Sequence, residues 1–252
     1  MRYLDQPMTF SAALAVFLTM SASLPLYAGE ARTPLATTNT PDLLNQFKKW
    51  TFDEAKLGDA PAGFSAATVG EGGAGTWAVT RDDKAPSAPQ ALLQSSPCMA
   101  SGCLHVILVD GLAYDYPDLT VRLRQPSSTP AAGGVMVAAK DAANGYVVLV
   151  DFEAKALEFM VLKDGKETSL RRVPISPKSV DWHLLWVRRN TIVSKEFFEV
   201  GFDGKLVISL EDKQFGAGRV GLVTRGAGPV AFDNLFVAPL YSSRPLSPPA
   251  AY

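Results

Sequence analysis

Two positions apart at the end of an apolar run, Asp151 and Glu153 are the closest this chain comes to a paired-carboxylate motif. In an extended strand, residues i and i+2 share a face, so the run from Tyr146 to Glu153 would hold both acids on one side. Such a pair can divide acid and base work in glycoside cleavage when its surroundings separate the two pKa values. The plainer expectation is a solvated strand end, where Asp-Phe-Glu-Ala-Lys approaches a turn. Tyr146 on the same strand, and Trp186 within Trp182-His183-Leu184-Leu185-Trp186-Val187, complete the candidate ligand contacts. Tryptophan stacks on sugar rings through its π face, although Leu184, on the same strand face, makes core packing the expected role of Trp182 and Trp186.

Asp53 and Asp233 stand near opposite ends of the strand-rich region. If the first and last strands pair, these acids approach each other and offer hard oxygens to Ca²⁺, which takes about six to eight. Backbone carbonyls of the Gly70–Gly75 loop would add to that set. The alternative is that Asp53 caps a turn and Asp233 sits exposed after Phe232. A structural calcium is thus the one cofactor the sequence suggests.

Cys98 and Cys103 bracket four residues. In an exported chain such neighbours oxidise to a small disulfide loop. Met99 and His105 would extend them to a soft donor set for Cu(I), but the spacing matches no strong metal motif, and the disulfide is the expectation. His105 and His183 do not make a zinc site, and no Gly-x-Ser-x-Gly elbow supplies a nucleophile. The Gly70–Gly75 stretch lacks the Gly-Lys-Ser/Thr and helix start of a phosphate cradle, and is expected to be a flexible surface loop.

The elements that must position these groups are short and numerous. The chain has 252 residues, 47% hydrophobic, with a formal charge of −1. That balance excludes the basic stripe of a nucleic-acid surface, and the steps Arg171-Arg172 and Arg188-Arg189 are expected at solvated strand ends. Leu119-Thr120-Val121-Arg122-Leu123-Arg124 alternates as a half-buried strand does. Asp164-Gly165 and Asp203-Gly204 are two-residue hairpin turns, and a further turn is expected near Arg189-Asn190. Turns spaced by roughly 8–12 residues predict an all-β, two-sheet antiparallel sandwich.

Arg2 and the apolar run Phe10 to Leu26, followed by Tyr27-Ala28-Gly29-Glu30-Ala31, have the form of a secretory signal peptide. Residues 1–31 are therefore expected as a leader, 32–49 as a linker, 50–238 as the sandwich and 239–252 as a Pro-rich tail. Export to the periplasm or cell exterior follows, with no stable membrane span after cleavage.

Several segments together resemble the concanavalin A-like lectin/glucanase superfamily, nearest the secreted laminin-G-like proteins known as 3-keto-disaccharide hydrolase-like domains. They are Phe52-Asp53, Pro61-Ala62-Gly63-Phe64, the Gly75-to-Val79 strand, Asn144-Gly145-Tyr146-Val147-Val148, Phe202-Asp203-Gly204-Lys205, Gly218-Arg219-Val220-Gly221-Leu222 and Ala231-Phe232-Asp233-Asn234-Leu235. The resemblance implies a jelly-roll sandwich whose concave face binds glycans. Where related proteins carry an arginine and an asparagine, this chain has Leu149 and Asp151. Laminarinase-type glycosidases use Glu-x-Asp-x-Glu, and the nearest pattern here is Asp151-x-Glu153 with Glu158 beyond it. With no complete catalytic set, the expectation is a non-catalytic module for a glycan or cell-envelope component. The alternative is a glycoside or 3-keto-sugar hydrolase using Asp151 and Glu153.

Overall fold

The computed structural model describes residues 46–178, 180–192 and 195–240. The expected leader, most of the linker and nearly all of the Pro-rich tail lie outside the described residues. Among those described there is no α-helix, and every strand pairing is antiparallel. The strands run β1 (Lys48–Trp50), β2 (Phe64–Val69), β3 (Trp77–Arg81), β4 (Gln90–Gln94), β5 (Leu104–Val109), β6 (Pro117–Arg124), β7 (Ala131–Asp141) and β8 (Asn144–Asp151). They continue as β9 (Ala156–Lys163), β10 (Lys166–Pro174), β11 (His183–Ile192), β12 (Lys195–Phe202), β13 (Lys205–Glu211), β14 (Arg219–Gly226) and β15 (Val230–Pro239).

Two sheets result, the antiparallel β-sandwich that the alternation and turn spacing predict, in the jelly-roll form that the resemblance implies. The back sheet has the order β13-β12-β11-β6-β15-β4-β3, with β1 added on β15; the front sheet runs β10-β9-β8-β7-β14-β5-β2. In β6, Leu119, Val121 and Leu123 are fully buried between the sheets while Thr120, Arg122 and Arg124 face outward. Both Asp-Gly turns have φ positive at both residues, 49° and 73° at Asp164-Gly165 and 48° and 79° at Asp203-Gly204. That is the geometry whose twist matches the flanking strands. β11 does not turn at Arg189-Asn190 but runs on to Ile192.

The front sheet is apolar on both faces. Val135, Val148 and Phe159 pack into the sandwich, while Met136, Val147 and Met160 form a second hydrophobic cluster on the opposite face. This second face is concave. Arg225 of β14 pairs with Glu167 of β10, although three strands lie between them in the sheet order. A Cβ placed on Gly165, in the β9–β10 turn, would lie 3.4 Å from Val69 Cγ1 at the opposite edge of the sheet. Only a sheet bent around that face brings these groups together.

Candidate functional site

Asp151 ends β8 and Glu153 follows in the turn to β9, with Phe152 between them buried toward the sandwich core. The two acids line one pocket of about 380 Å³ at the end of the concave face, together with Met99, Pro130, Ala132, Arg225 and Ala227. Asp151 Oδ1 accepts a hydrogen bond from Ala154 N at 2.8 Å, and Oδ2 lies 3.6 Å from Arg172, which also pairs with Glu158 at 3.1 Å. Alanines, proline and the exposed Met99 supply an apolar wall, and Arg225 supplies donors. The arrangement suits a hydroxyl-rich ligand with one apolar face. As pocket residues, Arg225 and Met99 escaped the sequence reading because nothing local ties β14 or the cysteine loop to β8. A larger depression of about 480 Å³ lies beside Trp50, Glu54 and Pro61, and none of the candidate residues lines it.

Tyr146 is placed elsewhere. It is fully buried, its ring packed on Phe159, Phe198 and Phe215, and its hydroxyl donates to Asp212 and accepts from Phe215 N. Burial, reinforced by Asp212, pushes its phenol pKa up. Burial also acts to raise the Asp212 pKa, but hydrogen bonds from Tyr146 and Gln214 outweigh it and hold that carboxyl low. Tyr146 thus has no surface to offer a ligand and instead anchors the β13–β14 connection. Arg189 serves the same connection: it pairs with Glu196 and donates to Phe215 O at 2.6 Å and Gly216 O at 3.0 Å. It is 2% exposed, contrary to the expectation of a solvated strand end.

Trp182 and Trp186 are likewise not core residues. Leu185 and Val187 point into the sandwich, which turns the tryptophans onto the outer face of the back sheet. Trp186 lies across Gly201, where a Cβ would come within 1.8 Å of Nε1, and Arg188 sits over its ring at 5.7 Å. Arg124 covers Trp182 at 5.1 Å. Gly201 and Arg188 thereby occupy the indole that would stack on a sugar.

The first and last strands do pair, with Trp50 opposite Leu235. Asp233 is fully buried, not exposed: it accepts from Ser87 N and Ser87 Oγ, each at 2.6 Å, and from Asn234 N at 2.6 Å. Burial raises its pKa, and the nearby charge of Asp53 adds to the rise. Asp53 Oδ1 accepts from Gln90 N at 3.2 Å, and Asp53 O from Gln90 Nε2 at 2.7 Å. Asn234, at φ 49° in a bulge of β15, has a buried Oδ1 without a donor, and Gln90 Oε1 is buried and unpartnered as well. Asp53 and Asp233 thus come near each other and offer hard oxygens of the kind Ca²⁺ takes. The Gly70–Gly75 loop is not part of this set, since it lies at the opposite end of β3.

That loop is held tightly, not loosely. Cys98 and Cys103 form the expected disulfide, and the glycines wrap it: a Cβ at Gly70 would meet Gly102 O at 2.6 Å, at Gly72 Cys103 Sγ at 2.8 Å, and at Gly75 the His105 ring at 2.7 Å. His105 is fully buried, with Gln94 Nε2 donating to Nδ1 at 2.7 Å and Nε2 donating to Gly73 O at 3.1 Å. Met99 points away, 71% exposed. Cys98 exchanges backbone hydrogen bonds with Gly226, at 2.8 and 3.1 Å, which places the disulfide loop against the pocket.

No family model matches the chain, and neither does any curated protein. Among solved structures, carbohydrate-binding module CBM66 from Bacillus subtilis is similar at TM-score 0.56 and 20% identity, over 70% of this chain and 95% of that one. The cellulose-induced protein Cip1 is similar at TM-score 0.56 and 10% identity, over 77% and 97%. An endo-1,3-β-glucanase from Streptomyces sioyaensis is similar at TM-score 0.52 and 15% identity, over 76% and 95%. At such identities the likeness concerns architecture alone: the chain has a two-sheet antiparallel jelly-roll fold.

Proposed function

We propose that this chain is an exported module that binds carbohydrate at the pocket between Asp151, Glu153 and Arg225, without cleaving it. The observation that carries the proposal is the joint placement of two carboxylates, an arginine and an apolar wall in one pocket of about 380 Å³, the mix of hydrogen-bonding groups and apolar surface that sugar-sized ligands use. The similar structures include one named for carbohydrate binding and one named for glucan cleavage, and the disulfide accords with export.

A calcium ion held between Asp53 and Asp233 would support the module by tying the turn after β1 to β15. It would neutralise the buried Asp233 carboxylate and the nearby charge of Asp53. A glycan-array screen of the chain lacking residues 1–31, with calcium and then with EDTA, tests both parts. Reproducible hits establish glycan binding, and their loss in EDTA ties it to the ion. A blank in both conditions discards the carbohydrate proposal.

A further inference from the structure

We propose that the Cys98–Cys103 disulfide masks a site for one Cu(I) ion, which comes into being when the bridge is reduced. Both sulfurs and a ring nitrogen of His105 lie within 4.8 Å of one another, and all three residues are buried. This proposal is independent of carbohydrate binding.

The donor chemistry selects the ion. Thiolate and imidazole are soft to intermediate donors and favour Cu(I) or Zn²⁺ over Ca²⁺ or Mg²⁺. Structural zinc takes about four protein ligands, whereas the described cluster offers three and no carboxylate. Cu(I) is satisfied by two or three soft donors, so the smaller set suits it.

The surroundings are already shaped for such a role. Gly70, Gly72 and Gly75 close over the cluster so tightly that a Cβ at any of them would force a neighbouring group to shift. Both His105 nitrogens are hydrogen-bonded in the oxidised chain. Coordination replaces one of these bonds and keeps the other, the kind of orienting contact that metal-bound histidines generally make. If Nδ1 is the ligating atom, Gln94 Nε2 retains its bond to Ser96 O at 2.9 Å.

Opening the bridge requires a dithiol reductant. Its thiolate attacks one sulfur, the S–S bond breaks, and the second thiol of the reductant resolves the mixed disulfide. Two electrons pass to the protein, which gains two thiols, and the reductant leaves as a disulfide. Cu(I) then displaces the two thiol protons to solvent, with no change in its oxidation state.

The test uses the full chain, reduced with dithiothreitol, freed of reductant under anaerobic conditions and titrated with Cu(I) against bathocuproine disulfonate. One equivalent should be withheld from the chelator, and X-ray absorption should find two sulfur neighbours and one nitrogen neighbour. The oxidised chain should withhold none, and His105→Gln, which preserves amide hydrogen bonding, should weaken retention by roughly 10–100-fold. The proposal fails if the reduced chain yields its copper as readily as Cys98→Ser/Cys103→Ser. It fails equally if His105→Gln holds copper as tightly as the wild type.

Discussion

Glu167 and Arg225 form an ion pair across the concave face of the front sheet, although β9, β8 and β7 lie between their strands. The pair draws the β9–β10 hairpin over the apolar cluster around Met136 and Val147. Both side chains are partly exposed, so Glu167→Gln should cost under about 1 kcal/mol in global stability. Its local effect should be larger: amide exchange in residues 163–167 should quicken while exchange in β11 and β12 stays constant. Unchanged exchange in the hairpin would mean the pair is incidental to the bend.

In the pocket, Glu153 has no ion-pair partner among the described residues, whereas Asp151 braces Ala154 and Arg172. Glu153→Gln should therefore weaken binding of an array-identified glycan by roughly 10-fold, the loss of one hydrogen bond to a charged group, with little change in Tm. Asp151→Asn should lower both affinity and Tm. Calorimetric titration and thermal melts separate the two, and equal affinity in both variants would move the ligand site elsewhere.

Calcium dependence carries a sign. Burial and the Asp53 charge raise the Asp233 pKa, so the folded state holds that proton more tightly than the unfolded chain does. Without a cation, this group makes stability fall as pH rises from the ordinary carboxylate pKa through the raised one, and the cost persists at neutral pH. Calcium should offset it, raising Tm at pH 7 and losing that effect once Asp233 is protonated in acid. Asp233→Asn should abolish the calcium-dependent gain. A calcium-induced shift that survives the substitution would place the ion at another site.

The glycines of the 70–75 loop should respond unequally. At Gly72 an added methyl meets Cys103 Sγ, which the disulfide holds in place, whereas at Gly73 nothing lies within 4 Å. Gly72→Ala should cost about 1–3 kcal/mol from overpacking, and Gly73→Ala should stay within about 0.5 kcal/mol. Urea denaturation of both variants measures the contrast. Equal costs would contradict the close packing around the disulfide.

Local chemistry was legible in the sequence, and long-range geometry was not. Asp164-Gly165 and Asp203-Gly204 announced their turns because few other pairs accept two positive φ values. The alternation of Leu119 to Arg124 fixed which side chains face inward. The same rule would have buried Arg189, which shares the parity of Leu185 and Val187, but its charge argued for solvent. Trp182 and Trp186 were misplaced because both faces of Trp182–Val187 are apolar, which leaves the register undetermined. The Asp53–Asp233 approach followed from pairing the chain ends, yet the burial of Asp233 under Ser87 and Asn234 depends on a loop and a bulge that no periodicity marks. Arg225 reaches the pocket through the register that sets it opposite Ala132 and Ala132 opposite Asp151, and Met99 through the Cys98–Gly226 backbone bonds, long-range pairings that no local pattern marks.

The pairing of β1 with β15 sets Lys48 opposite Val237, and Tyr114 and Tyr116 bond Gln46 O and Leu240 N respectively. Entry and exit of the described chain are therefore neighbours in space. A short bridge between them, with new ends opened at an exposed turn such as Asp203-Gly204, would be a circular permutation that retains the pairings of both sheets. The order in which the strands are synthesised is thus separable from the architecture they build.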